Sequence, residues 1–309
     1  MFGASNLVRY SKISPLFIGL SIISIGNSMP ELCITIISGI KQVPELAVGT
    51  LVGSNIAHVS LVLGIAAIIK PFKINAALQK SDIFIFFSTS LIATLLLLNN
   101  ELTPLKGIIL LATFILAFTW IIIKEIKNIK NKNFVANIYI ELPANKINLN
   151  FSNILISILW LIFGIITLHI SSYFVIESAQ QIAKIFALTN LSVGLLLLGI
   201  GTNLPELAIM IASIYNNERD LALGGVLGAN IFGITFALGL SGILFPVKLP
   251  YIFRLRDLSS MMFITTIYSL FLLSPKKLIS RFQGAVLIAL YLIYIISIFS
   301  KFKGKSLIR

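Results

Sequence analysis

Apolar residues occur along this chain in long runs that short polar segments separate. A bilayer crossing takes about 20 mostly apolar residues. Nine runs approach or exceed that length, at 14–40, 46–69, 82–99, 104–123, 151–183, 189–215, 221–246, 257–274 and 281–300. Because the backbone finds no hydrogen-bonding partner in lipid except itself, the runs are predicted to be helices. The pattern therefore predicts an all-α, multi-pass membrane protein with nine clear transmembrane helices.

Composition and charge agree with a lipid bilayer as the surroundings of the chain. Hydrophobic residues make up 57% of the sequence and charged residues 11%, whereas soluble domains carry about 25% charged residues. The net charge of +13 comes from short Lys and Arg clusters between the apolar runs, which is typical of membrane-surface loops and does not indicate a nucleic-acid partner. The abundance of Ile, Lys and Asn is typical of an AT-rich bacterial genome. We therefore expect a bacterial cytoplasmic (inner) membrane.

An internal repeat relates the two halves of the sequence. The segment 26–32 reads GNSMPEL, and the segment 201–207, at an offset of 175 residues, reads GTNLPEL. The same ungapped offset pairs Gly49 with Gly224, Gly53 with Gly228, Asn55 with Asn230, Gly64 with Gly239, Pro71 with Pro246 and Asp82 with Asp257. Five predicted spans separate the copies, so the copies are expected to have opposite orientations. This is the inverted-repeat plan of secondary transporters, which bind substrate where the repeats meet.

The repeat divides the chain into three predicted parts. Residues 1–123 form the first membrane repeat, residues 124–150 form a loop, and residues 151–309 form the second membrane repeat. The Lys residues of the loop predict that it is cytoplasmic. The front of the run at 151–183 has no counterpart in the first copy, so the first helix of that copy is expected to be truncated.

Two carboxylates, Glu31 and Glu206, lie within apolar runs at repeat-related positions. Placing a carboxylate in a membrane span costs a few kcal/mol of insertion free energy, so such a residue by default indicates a functional site. Two nearby carboxylates repel each other unless a cation or proton lies between them, and Ca²⁺ takes six to eight oxygen ligands. Pro30 and Pro205 are expected to open their helices and free carbonyl oxygens for that purpose. The alternative is that each glutamate caps its helix or pairs with a lysine.

The next run in each half carries a second motif, GSNIAH at 53–58 and GANIFG at 228–233. Asn55 and Asn230 are expected either to pack between helices or to reach the ion. Ser54 offers an oxygen, or serves as a small packing residue. A histidine side chain ordinarily titrates near neutral pH, so His58 is expected to be either a proton carrier or ligand or a neutral residue that a carbonyl satisfies.

These motifs resemble the alpha repeats of the calcium/cation antiporter superfamily, which includes the sodium/calcium exchangers. The family pattern is close to G-T-S-x-P-E followed by G-S-N-I-x-[ND]. The resemblance implies ten helices in two inverted halves, with Glu31 and Glu206 as the central acidic ligands. It also implies further oxygen donors at Asn27, Ser28, Thr202, Asn203 and Ser54. Three departures are His58 in place of Asn, Gly233 in place of Asp or Asn, and Ala229 in place of Ser.

The function expected from these motifs is secondary active cation antiport, with Ca²⁺ exchanging for Na⁺ by alternating access at a two-glutamate site that His58 also lines. One alternative is exchange of Ca²⁺ against protons, or of another divalent cation, because His58 and Gly233 alter the site. A second alternative is a truncated homologue that no longer transports. No resident cofactor is expected, since the small cations are cargo. No nucleophile–base pair or His-rich metal motif indicates an enzyme.

Overall fold

The computed structural model describes residues 14–73, 78–130, 170, 174–182, 184–186, 188–215, 219–275 and 278–305. Helix α1 comprises Pro15–Ile18, a π-helical turn at Gly19–Ile23, Ser24–Asn27 and Met29–Ile40. Helix α2 comprises Pro44–Ala57, a π-helical turn at His58–Val62 and Leu63–Ile69. Helices α3 and α4 are Lys80–Leu97 and Pro104–Lys130, and α5 covers residues 174–182.

The second half is built in the same way. Helix α6 comprises Asn190–Val193, a π-helical turn at Gly194–Leu198, Gly199–Gly201 and Leu204–Tyr215. Helix α7 comprises Arg219–Ile231, a π-helical turn at Phe232–Ala237 and Leu238–Leu244. Helix α8 comprises a π-helical turn at Phe253–Leu258 and then Ser259–Leu272, and α9 is Arg281–Lys305.

Seven of the helices in the described part of the chain are long and apolar enough to cross a membrane, namely α1, α2, α3, α4, α6, α7 and α9. Helix α8 overlaps most of the predicted span 257–274 but carries Arg254, Arg256 and Asp257 in its first turns, and it is not among the seven. Most of the predicted span 151–183 lies outside the described residues. The helical membrane fold is confirmed, with seven of the nine predicted spans.

Helices α1 and α6 are each interrupted just before their Pro-Glu motif. The interruption lies at Ser28 in α1 and at Thr202 and Asn203 in α6. Each proline comes directly afterwards, in the first turn of the next helical segment, where its missing N–H breaks no helical hydrogen bond. Each glutamate also lies in that first turn, where the helix dipole favours a negative charge. The break lies in the turn that precedes each proline, where the missing N–H and the ring disfavour a continuous helix. The predicted interruption of both helices at their Pro-Glu motifs is therefore present.

Glycines bring the central helices close together in two matching places. A Cβ atom at Gly49 of α2 would overlap the carbonyl of Leu191 at the start of α6. At the counterpart position, a Cβ atom at Gly224 of α7 would overlap the carbonyl of Leu16 at the start of α1. Small residues permit such close approach of membrane helices. The two contacts are related by the 175-residue offset that the sequence shows.

The outer elements pack in matching pairs as well. Helix α4 lies against α7 where Gly107 meets Gly239, and α9 lies against α2 where Gly284 meets Gly64. Two short antiparallel pairs join the loops: β1 (Phe72–Lys73) pairs with β4 (Leu278–Ile279), and β2 (Glu101–Leu102) pairs with β3 (Val247–Lys248). Every such contact joins the first half of the chain to the second, so the halves form one body around α2 and α7.

The segment predicted as a loop at 124–150 begins as helix. Helix α4 continues to Lys130, and residues 131–150 lie outside the described part of the chain. Two charged residues fix the end of α4 in place. Lys124 forms a largely buried ion pair with Asp82 at the start of α3, and Glu125 accepts hydrogen bonds from the backbone N–H and the hydroxyl of Ser14, at 2.6 and 2.9 Å. The predicted connecting segment therefore starts as a helical extension of α4.

Candidate metal centre

Three ionisable side chains from three helices meet in the interior. Glu31 of α1, His58 of α2 and Glu206 of α6 each offer a ligand atom, and these atoms lie within 4.8 Å of one another. All three residues are buried, with exposed fractions of 2% or 3%. The interruptions of α1 and α6 position the carboxylates, since each glutamate starts the helical segment that follows the break. Both predicted carboxylates and His58 are thus brought together.

Ser54 of α2 links the two Pro-Glu segments. Its hydroxyl donates a hydrogen bond to Oε1 of Glu31 at 2.9 Å and lies 3.5 Å from the hydroxyl of Thr202. Asn203 donates from Nδ2 to the same Ser54 oxygen at 3.0 Å, and also to the carbonyl of Gly199. Ser54, Thr202 and Asn203 therefore form one polar network beside the carboxylates.

The two repeat-related asparagines contact each other across the interface of α2 and α7. Asn55 donates from Nδ2 to the backbone carbonyl of Asn230 at 3.3 Å. The side-chain oxygen of Asn230 lies 3.4 Å from Nδ1 of His58. Asn230 thus orients the imidazole, a role that the sequence pattern did not predict for it. The sequence feature that points to this contact is the 175-residue offset between Asn55 and Asn230, because repeat-related residues can meet at the interface of the repeats.

Several buried polar atoms of the centre have no hydrogen-bonding partner in the described part of the chain. They are Oε2 of Glu31, Oε2 of Glu206, Nε2 of His58, Oδ1 of Asn203 and Oδ1 of Asn55. A buried polar atom without a partner costs free energy, so such atoms in a native protein call for a ligand, an ion or water. Their donor types, two carboxylates, an imidazole and carboxamides, fit a divalent cation.

Two of the predicted donors, Asn27 and Ser28, lie at the break in α1. Asn27 is half-buried and lies beside Gly225 of α7, and Ser28 is buried at the break in α1. The counterpart of Ser54 in the second half is Ala229, which has no hydroxyl. A Cβ atom at Gly233, the counterpart of His58, would meet no atom within 4 Å. At these two pairs of positions, only the first half of the chain supplies a side-chain donor.

The alternative pairing of each glutamate with a lysine finds no support among the described residues. The ion pairs in that part of the chain include Lys41–Glu177, Lys124–Asp82, Lys248–Glu101 and Arg256–Asp257. Neither Glu31 nor Glu206 takes part in any of them. The two carboxylates are thus held together without a cationic side chain between them.

Comparison with known proteins decides the family. The family model for sodium/calcium exchanger proteins matches residues 1–123 and 156–300. The chain belongs to the sodium/calcium exchanger family. Inner membrane protein YrbG of Escherichia coli is 32% identical over 87% of this chain and 82% of its own length. The putative antiporter CaxA of Alkalimonas amylolytica is 31% identical over 97% of this chain and 93% of its own.

A solved structure of the sodium-calcium exchanger NCX_Mj, soaked with Na⁺ and Sr²⁺, has the same fold. It superimposes with a TM-score of 0.69 and 26% identity, and covers 96% of this chain and 90% of its own. Membership of the family makes this protein a multi-pass membrane transporter of the cation antiporter class. The resemblance stated from the Pro-Glu motifs is confirmed.

Proposed function

We propose that this exchanger moves a divalent cation, Ca²⁺ in the first instance, against Na⁺ at a centre formed by Glu31 and Glu206. The observation that carries the proposal is that these two buried carboxylates, at repeat-related positions, lie within reach of one ion. Two negative charges are neutralised by one divalent cation or by two monovalent cations. Since the same oxygens serve both kinds of ion, the ions compete, and competition at one site is what exchange requires.

The opposite orientation of the repeats and alternating access belong to the same proposal. Helices α1 and α6 carry the two glutamates, are both broken beside them, and pack on α7 and α2 through glycine contacts that the same offset relates. In transporters with inverted repeats, broken helices of this kind line a midplane site, and the repeats move against each other around it. The family relatives include a protein named as a putative antiporter and the sodium-calcium exchanger NCX_Mj, which agrees with this proposal.

The test is ⁴⁵Ca²⁺ uptake into proteoliposomes loaded with Na⁺. We expect uptake that depends on the outward Na⁺ gradient and that Glu31→Gln and Glu206→Gln each abolish, because each removes half of the charge that neutralises the ion. Glu45→Gln is the matched control, since Glu45 lies in the first turn of α2 outside the centre. Gradient-driven uptake that survives both central substitutions would overturn the two-glutamate site.

A second candidate is coupling to protons in place of Na⁺. The observation that favours it is the loss of donors at Ala229 and Gly233, which leaves fewer oxygens for several Na⁺ ions. Replacing the Na⁺ gradient by a pH gradient separates the two. Ca²⁺ uptake driven by the pH gradient in Na⁺-free buffer assigns the coupling to protons, and absence of flux under either gradient supports a homologue that does not transport.

A further inference from the structure

The centre carries a nitrogen donor among its oxygens. Ca²⁺ is bound by oxygen and takes six to eight ligands. Here His58 lies with Glu31 and Glu206 in the group whose ligand atoms are within 4.8 Å of one another, and the counterpart positions Ala229 and Gly233 supply no side-chain oxygen. Fewer oxygens and one imidazole make the centre less suitable for Ca²⁺. They make it more suitable for a smaller cation that accepts nitrogen.

The imidazole is oriented in the way that metal-bound histidines are. A histidine that binds a metal through one ring nitrogen commonly donates its other N–H to a carbonyl or carboxylate oxygen, which fixes its tautomer. Nδ1 of His58 lies 3.4 Å from the side-chain oxygen of Asn230. With the proton on Nδ1, Nε2 carries a lone pair. Nε2 is buried and has no partner in the described part of the chain.

The main chain of Asn230 is hydrogen-bonded to α2, and its side-chain Nδ2 is buried without a partner within the described residues. Its backbone carbonyl accepts a hydrogen bond from Nδ2 of Asn55 at 3.3 Å, and its exposed fraction is 1%. The asparagine is therefore fixed against α2, the helix that carries His58. Oε2 of Glu31 and Oε2 of Glu206, both buried and unpartnered within the described residues, are the carboxylate oxygens available to the same ion.

We infer that the centre binds divalent first-row transition cations, with Mn²⁺ and Co²⁺ as probes, more tightly than Ca²⁺, and that Nε2 of His58 is the nitrogen ligand. The inference rests on the proposed function, namely that Glu31 and Glu206 carry a divalent cation. It adds a substrate class. Sites with nitrogen and oxygen donors bind Co²⁺ more tightly than Mn²⁺, so the preference over Ca²⁺ increases in that order. Asn230 is a positioning residue that acts through His58.

The experiment measures equilibrium binding to the full chain purified in detergent, by displacement of ⁴⁵Ca²⁺. We expect Mn²⁺ to displace Ca²⁺ at a concentration at least about tenfold below that of unlabelled Ca²⁺, and Co²⁺ to act at a lower concentration still. His58→Asn restores an all-oxygen centre. It should weaken Co²⁺ binding most, Mn²⁺ binding less and Ca²⁺ binding least, which a general loss of structure would not do.

A second variant keeps the imidazole and removes only its partner. Asn230→Ala should lower Mn²⁺ affinity about 10- to 100-fold, the usual effect of losing an outer hydrogen bond to a metal ligand, with a smaller effect on Ca²⁺. Ser60→Ala is the matched control, because Ser60 is buried on α2 and bonds to the carbonyl of Ile56 of its own helix. Size-exclusion profiles show whether each variant is folded.

The outcomes separate the inference from the proposed function. Binding of Ca²⁺ with no tighter binding of Mn²⁺ or Co²⁺ overturns the inference and leaves the two-glutamate site intact. An unchanged ratio of Mn²⁺ to Ca²⁺ affinity in monodisperse His58→Asn also overturns it, since the nitrogen then takes no part. A monodisperse wild-type protein that binds none of the three ions overturns both.

Discussion

Asn203 and Ser54, from different halves of the chain, are joined by a hydrogen bond of 3.0 Å from Nδ2 to Oγ. The same Ser54 hydroxyl donates to Oε1 of Glu31 at 2.9 Å. One oxygen atom on α2 thus connects the broken segments of α1 and α6. Because these segments carry Glu31 and Glu206, the geometry of the centre depends on a residue that bears no charge.

The first prediction concerns this hydroxyl. Ser54→Ala removes the donor to Glu31 and the acceptor for Asn203, and leaves both buried groups without that partner. A hydrogen bond to a charged group contributes about 1.5–3 kcal/mol, so we expect the affinity for ⁴⁵Ca²⁺ to fall about tenfold or more. Displacement binding in detergent measures it. Ser60→Ala, also buried on α2, should leave the affinity unchanged, and an equal effect of both changes would contradict a specific role for Ser54.

The second prediction concerns the open space at Gly233. A Cβ atom there would meet no atom within 4 Å, so a side chain can start from this position without a clash at its Cβ. Gly233→Asp adds a carboxylate on the side of the centre that is poor in donors. Because the charge and number of oxygen ligands set Ca²⁺ affinity, we expect Ca²⁺ binding to tighten about tenfold. Gly233→Ala adds only a methyl group and is the control. Weaker Ca²⁺ binding in the Asp variant than in the Ala variant would contradict this placement of residue 233.

The features that could be predicted from the sequence are those that follow from a residue type and its position along the chain, without knowledge of contacts between distant segments. A glutamate in an apolar run has few roles, and a constant offset shows that two such runs are copies. The proximity of Glu31 and Glu206 could therefore be predicted from the residue pattern alone. The apolar runs also predicted seven helices, six of them to within five residues of their observed ends and α4 to a point seven residues before its end at Lys130, since lipid leaves the backbone no other choice.

The features that could not be predicted depend on contacts between distant segments. The helix breaks lie at Ser28 and at Thr202 and Asn203, in the turn before each proline. The prolines predicted that each helix is interrupted but not at which residue. The contact of His58 with Asn230 depends on the packing of α2 against α7. The extension of α4 to Lys130 is likewise tertiary, because the ion pair of Lys124 with Asp82 stabilises a polar end.

The third prediction concerns the close approach of the central helices. Gly49→Ala and Gly224→Ala each place a methyl group against a backbone carbonyl, that of Leu191 and that of Leu16. A backbone carbonyl of a packed helix cannot move aside to relieve the clash as a flexible side chain can. We therefore expect a loss of about 1–3 kcal/mol in the free energy of unfolding. Unfolding in mixed detergent–SDS micelles measures it.

The control for this pair is Gly201→Ala. A Cβ atom at Gly201 would meet no atom within 4 Å, so the same chemical change adds no clash. An alanine in place of a helical glycine even gains slightly in helix propensity. If Gly201→Ala destabilised the protein as much as Gly49→Ala, the destabilisation would not come from the α2–α6 contact.

The fourth prediction uses two neighbouring tyrosines of α9 that differ in one contact. Tyr294 donates a hydrogen bond to Oδ1 of Asp257 at 3.1 Å, and Asp257 is fully buried. Arg256 donates to the same carboxylate at 2.8 and 3.0 Å. The hydroxyl of Tyr291 is also buried but has no partner within the described residues.

Removing each hydroxyl therefore has opposite expected consequences. Tyr294→Phe takes a donor away from a buried carboxylate, and a hydrogen bond to a charged group is worth about 1.5 kcal/mol or more. Tyr291→Phe removes a buried polar atom that gains nothing from the fold, so the variant should be as stable as the wild type or slightly more stable. The difference between the two free energies of unfolding, measured in the same micelles, isolates the hydrogen bond to Asp257. Equal free energies of unfolding for the two variants would mean that Arg256 alone satisfies that carboxylate.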